Sequence, residues 1–271
     1  MRAEINTRDI TGQVDRYMPL ILFSAITNIA PSDTHRPQCI MHIDDVLGPA
    51  DLARVTALQR EQQIDWKSVP SDGETVLVEE HEFIVLPDVF PPRFDSSLLI
   101  NSLNISKGAE VLDVGTGSGV LAIFACIAGA SRCVALDINT EAVRNTQANA
   151  KKHDLSAQID ARTSDGLAAL LPGEQFDFVI ANLPGRSLEA EDVVEGAQWD
   201  GGYRVHKAFF TNIGKHLKDC GQILMAKANY PEINDLLGFT DNLGFAVKIL
   251  DKELPSDGDP RTYYTFAFSL P

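Results

Sequence analysis

The sequence predicts an α/β fold built on a parallel sheet, and three observations carry that prediction. Residues 111–114 form an apolar, β-branched strand that runs through Gly115-Thr116-Gly117-Ser118-Gly119 into an apolar helix over residues 120–128. A second short apolar strand, residues 134–137, ends on Asp137, about 20 residues beyond the glycines, where nucleotide-binding α/β sheets place an acid. From there to the C-terminus, short apolar runs alternate with helical stretches.

The glycine turn is where this pattern turns into chemistry. A strand turning sharply into a helix needs positions without Cβ, and glycine also lets a ligand approach the backbone closely. The helix N-terminus then offers unpaired N–H groups and the positive end of a dipole. Together they predict a pocket for a polar or anionic group. A dinucleotide fits this much, but Asp113, just before the first glycine, opposes a pyrophosphate and suits an ammonium group.

The block Leu112-Asp113-Val114-Gly115-Thr116-Gly117-Ser118-Gly119 resembles the first motif of the class I S-adenosylmethionine-dependent methyltransferases. Further blocks keep that family's spacing: Asp137, then Thr163-Ser164-Asp165-Gly166, then residues 176–185 ending in Asn182-Leu183-Pro184-Gly185. The resemblance implies S-adenosylmethionine as cofactor and a Rossmann-like seven-stranded sheet. It places the cofactor over Asp113, Gly115, Thr116, Gly117 and Gly119, with Asp137 and Ile138 at the ribose, Asp165 and Gly166 at the adenine, and Asn182 at the reacting end.

A hairpin around residues 75–86, the linker Pro91-Pro92-Arg93-Phe94-Asp95 and Trp199-Asp200-Gly201-Gly202 make the chain similar to the HemK/PrmC branch of that family. The implied division is a helical lid or recognition segment, residues 1–74, and a catalytic domain with its hairpin, residues 75–271. Arg93 then borders the active-site mouth.

The core elements are expected as a helix over 140–153 capped by Thr140, a strand near 158–162, a helix near 167–171 and a strand over 176–182. A helix over 203–217, a strand at 222–227, a helix near 232–243 and two final strands, near 245–250 and 262–268, follow. The final strands suggest an antiparallel edge. A short helix over 98–103 is expected with Ser96 or Ser97 as its cap, and an amphipathic helix over 48–64. Residues 18–30 read as a buried helix, too short to span a bilayer and preceded by acids rather than by the basic end of a secretory signal.

Composition narrows the partners. The 271 residues suffice for one substantial core with an appendage, and the four cysteines lack paired spacing, which fits a reducing cytoplasm. A formal charge of −15 counts against nucleic acid as substrate, and no membrane partner is expected. His35, Cys39 and His42 have a metal-ligand spacing without an evident fourth ligand, so no metal is expected.

The family pattern Asn-Pro-Pro-aromatic serves methylation of planar NH2 groups. This chain keeps Asn182 and Pro184, the expected catalytic pair, but has Leu183 and Gly185 at the other two positions. Arg186 offers a fork for a carboxylate, and Trp199 and Tyr203 an aromatic wall. With Arg93 these form the expected substrate-binding set, and Asp200, Glu191 and His206 are candidate bases by position. The expected reaction is methyl transfer to N or O of a small metabolite. The alternatives are protein glutamine N5-methylation, use of the cofactor's aminocarboxypropyl arm, and a non-catalytic cofactor-binding module.

Overall fold

The computed structural model describes residues 41–271. The helix expected within residues 18–30, and His35 and Cys39 of the metal-spaced set, lie outside the described residues. The described chain runs α1 (Pro49–Lys67), β1 (Glu74–Val78), β2 (His81–Val85), α2 (Phe94–Asn101), β3 (Glu110–Val114), α3 (Val120–Ile127), β4 (Arg132–Asp137), α4 (Thr140–Lys152), β5 (Ile159–Thr163), β6 (Phe176–Ala181), α5 (Arg204–Ile213), β7 (Leu217–Ala228), α6 (Ile233–Asn242), β8 (Ala246–Glu253) and β9 (Tyr263–Ser269).

A seven-stranded sheet in the order β5-β4-β3-β6-β7-β9-β8 forms the centre. The first five strands are parallel, and β9 runs antiparallel to both of its neighbours. The continuous apolar runs of β3, β4 and β6 follow from burial on both faces: Val111, Leu112, Val134, Leu136, Val179 and Ile180 are all fully buried. Because β4 lies on one side of β3 and β6 on the other, the strand order reverses there. A crevice therefore opens beyond the carboxyl ends of β3 and β6, the place where such sheets bind ligands.

The β1–β2 hairpin is a separate two-stranded unit, turned at Glu79 and Glu80, both at positive φ. Its β2 edge is covered by two buried asparagines of α4. Asn149 accepts from the Ile84 N–H and Asn145 from the Leu86 N–H, at 2.8 and 2.9 Å, and both side-chain amides donate to the Ile84 carbonyl. Burying these amides is tolerable because they are paired.

Several boundaries differ from expectation. α2 starts at Phe94 rather than after Ser96 or Ser97, because Arg93 caps it and the Ser96 side chain accepts from the Arg93 N–H. α4 is capped by Asn139, whose side chain accepts from the Glu141 N–H, and Thr140 is its first residue. The helix expected near 167–171 is a series of turns. There Ser164 Oγ takes the Ala169 N–H and donates to the Gly166 carbonyl, a local bonding pattern that competes with helix formation.

The same turns end in an ion-pair network, where the Glu174 carboxylate receives Arg162, Arg132 and the Leu171 N–H. The hydrogen bond from Arg162 leads in holding its carboxyl down at about 2. This lowered value contributes stability above the ordinary pKa near 4.5 that is lost as pH falls toward 2. Glu174→Gln is expected to cost about 1–3 kcal/mol at pH 7, with the gap closing by pH 2–3 in denaturant titrations.

Among the described residues no helix is long and apolar enough to cross a membrane. Cys126 and Cys133 are buried core residues.

Candidate cofactor and acceptor site

The site grows from the carboxyl ends of the parallel strands. Beyond β3, Gly115 and Gly117 adopt φ of 74° and 55°, conformations that side-chain-bearing residues rarely take. Asp137, at the end of β4, accepts from the Gly117 N–H and the Asn139 N–H, one on each carboxylate oxygen at 2.9 Å. Each oxygen keeps a lone pair for a ligand hydroxyl, and Ile138 beside it is a large apolar side chain left exposed. Asp165 and Gly166, exposed beyond β5, lie on the same rim of the sheet.

Asp113 is fully buried, and both of its carboxylate oxygens lack a hydrogen-bond partner. Burial first, and the nearby Asp137 charge, push its pKa up to about 7. An acid raised in the folded state gives stability that is complete below its ordinary pKa near 3.8 and lost as pH rises through 7. Asp113→Asn is therefore expected to stabilise the ligand-free protein at pH 8 by on the order of 1–3 kcal/mol and to do little at pH 4, read by thermal melts.

Gly119 stands apart from its neighbours. A Cβ there would lie 2.9 Å from the Thr146 Cα of α4, so this glycine allows close packing of α3 on α4.

A cavity adjoins the turn. Its lining includes Phe90, Arg93, Asn182, Leu183, Gly185, Lys227, Tyr230 and Arg261. Leu183 and Phe90 connect it to the glycines: a Cβ at Gly115 would touch Leu183 Cδ2, and one at Gly117 the Phe90 carbonyl, each at 3.6 Å. Arg93 lies over the rings of Trp66 and Phe90, at 5.3 and 5.9 Å.

Of the expected substrate residues, Arg93 lines this cavity, whereas Arg186, Trp199 and Tyr203 stand behind it. Arg186 is buried, donates to Thr56 of α1 and lies 5.0 Å from the Tyr230 ring. Trp199 donates to Gln59 of α1, and Tyr203 donates to the Gly185 carbonyl at 3.4 Å. The candidate bases are likewise displaced. His206 and Asp200 form a buried pair at 2.7 Å, with burial pushing the imidazole down to about 3, and Glu191 is exposed on the loop.

Two residues that the sequence reading missed are central. A Cβ at Gly185 would lie 3.1 Å from Tyr230 Cε2, so the Tyr230 ring occupies the space that a side chain at Gly185 would enter. The second is Lys227, whose ammonium is buried and donates to the carbonyls of Leu183 and Pro184. Lys227 lies within β7's buried run and Tyr230 just after it, and only a lysine inside that apolar stretch could have signalled them.

Comparison with known proteins agrees with this geometry. A family model described as ribosomal protein L11 methyltransferase (PrmA) matches residues 97–190. A release factor glutamine methyltransferase of Koribacter versatilis is 36% identical over 160 residues, covering 53% of this chain and 56% of that protein. A putative protein N5-glutamine methyltransferase of Methanocaldococcus jannaschii is 30% identical over 169 residues, covering 60% of this chain and 84% of that one. The solved ribosomal protein L11 methylase of Lactobacillus delbrueckii subsp. bulgaricus shares the fold, with a TM-score of 0.51, 22% identity, and coverage of 67% of this chain and 81% of that one. The chain thus spans little more than half the length of the Koribacter relative but most of the archaeal one.

The chain belongs to the class I S-adenosylmethionine-dependent methyltransferases, whose cofactor is S-adenosylmethionine. Within that class it is similar to the HemK/PrmC branch. The expectation of a small-metabolite acceptor is corrected here, because the relatives it matches are named for protein substrates: ribosomal protein L11 and glutamine in proteins. The residues present fit the cofactor: a glycine cradle without Cβ atoms, a strand-end carboxylate with free lone pairs, and a buried unpartnered carboxylate suited to an ammonium.

Proposed function

We propose that this protein methylates a nitrogen in a protein side chain, the N5 amide of glutamine first among them. The reading rests on Asn182 and Tyr230 lining one cavity beside the glycine turn. That pair supplies what a planar NH2 group needs, an oxygen acceptor for its N–H and an aromatic surface for its face.

When bound, S-adenosylmethionine supplies an electrophilic methyl group on a sulfonium sulfur. Gly115 and Gly117 leave room for it, Asp137 would hold its ribose hydroxyls, and Asp113 would face its ammonium. An amide nitrogen is a weak nucleophile, so the chain's task is to hold that nitrogen close and in line in a dry site. Asn182, the expected catalytic residue, accepts from the acceptor's N–H, while Pro184 fixes the turn that carries it.

The match of residues 97–190 to the L11 methyltransferase model favours a second reading, methylation of a ribosomal protein at a side chain other than glutamine. One experiment separates the two. The purified protein is incubated with methyl-deuterated S-adenosylmethionine and fractionated bacterial protein, and peptides are sequenced by mass spectrometry. Label on glutamine together with S-adenosylhomocysteine is expected. Label on a ribosomal protein at a residue other than glutamine would replace this reading with the second, and no labelled peptide would overturn both.

A further inference from the structure

We infer that Lys227 is a positioning residue for methyl transfer, clamping the Leu183-Pro184 turn so that Asn182 is held against the acceptor cavity. Its Nζ donates to the Leu183 carbonyl at 2.6 Å and to the Pro184 carbonyl at 2.9 Å. Those two peptides follow Asn182 directly, and the clamp reaches them from β7, the neighbouring strand.

The rest of the turn is held the same way. The Gly185 carbonyl accepts from the Tyr203 hydroxyl, and the Arg186 carbonyl from the Asp200 N–H. Four consecutive carbonyls are therefore each engaged by a donor from elsewhere in the chain. Such a turn cannot relax without breaking hydrogen bonds to other parts of the chain, which is what a constellation held to fractions of an ångström requires.

The choice of lysine is the informative part. Lys227 is 2% exposed and its hydrogen-bond partners are neutral carbonyls; burial pushes its pKa down to about 7, with the charges of Asp200 and Asp95 opposing that fall. Burying an ammonium in this way costs several kcal/mol, and an apolar side chain of similar volume is often as stable or more so. β7 already places Met225 on the same alternating face, in the core. A methionine at position 227 would extend that core but leave the Leu183 and Pro184 carbonyls without this donor, so what the lysine adds over an apolar side chain is a hold on the turn beside Asn182.

The activity arm of the test rests on the nitrogen-acceptor reading above; the spectroscopic arm does not. Lys227→Met is expected to stay folded at assay temperature and to bind S-adenosylmethionine within about twofold, yet to lose about 100-fold in kcat with KM for the protein acceptor changed far less. Lys227→Ala should regain activity with added propylammonium but not with propanol. Wild-type kcat in Lys227→Met, a fall in cofactor affinity matching the fall in kcat, or equal rescue by propanol would each overturn the inference. If the wild-type protein methylates no protein at all, the acceptor reading fails and the clamp is tested by NMR. A protected Nζ resonance from 15N-lysine that vanishes in Lys227→Met, together with a shifted Asn182 side-chain signal, is expected. Absence of that resonance, or an unmoved Asn182 signal, would overturn the clamp.

Discussion

Asp137→Ala is expected to weaken S-adenosylmethionine binding about 100-fold or more, a loss of about 2.7 kcal/mol or more, while the fold stays intact. Two effects add. The carboxylate offers a free lone pair on each oxygen at the end of β4, and hydrogen bonds to a charged group are worth about 1.5–3 kcal/mol each. It also ties the Gly117 N–H to the strand end, so its loss loosens the cradle as well as removing the contact. The carboxylate lies at the surface end of a strand whose hydrophobic residues are fully buried without it, which is why stability should hold. Isothermal titration calorimetry reads the affinity and a thermal melt the fold. Unchanged affinity would remove Asp137 from the ribose and with it the proposed orientation of the cofactor.

What the sequence made legible follows from how each element is stabilised. β3, the glycine turn and α3 could be read because a parallel strand buried on both faces shows as one apolar run and a turn at positive φ shows as glycine. The remaining strands were legible as short apolar runs along the chain, and the final pair as an antiparallel edge. The stretch at 167–171 misled because its apolar spacing is helical while Ser164 and Gly166 capture the backbone in turns. What was hidden lies far along the chain: Lys227 is 44 and 43 residues from the carbonyls it holds, and Tyr230 sits beside a glycine whose lack of a side chain read only as a missing aromatic. Trp199 and Tyr203 were natural candidates for that wall by nearness in sequence. The loop instead turns them toward α1 and its own backbone.

Exchanging the aromatic between the two positions gives the other large expected effect. Gly185→Tyr alone should cut methyl transfer about 100-fold, because its Cβ would press within 3.1 Å of the Tyr230 ring, and the new side chain has no room while that ring stays. The backbone is not the obstacle, since Gly185 lies outside the left-handed region that favours glycine. Tyr230→Ala alone should lose a similar factor by opening the wall. Truncating so buried an aromatic also costs about 3–5 kcal/mol, so rates are taken on folded protein at low temperature. Combining the two substitutions puts an aromatic at the family's own position and vacates the space it needs. The double variant should recover to within about tenfold of wild type, a non-additivity that only residues sharing one space produce. Additive losses would mean that Tyr230 acts as core and not as the wall of the acceptor cavity. Recovery would show that one recognition surface for a planar nitrogen can be built from either side of the turn, and that the departure at Gly185 is a relocation of the aromatic and not its loss.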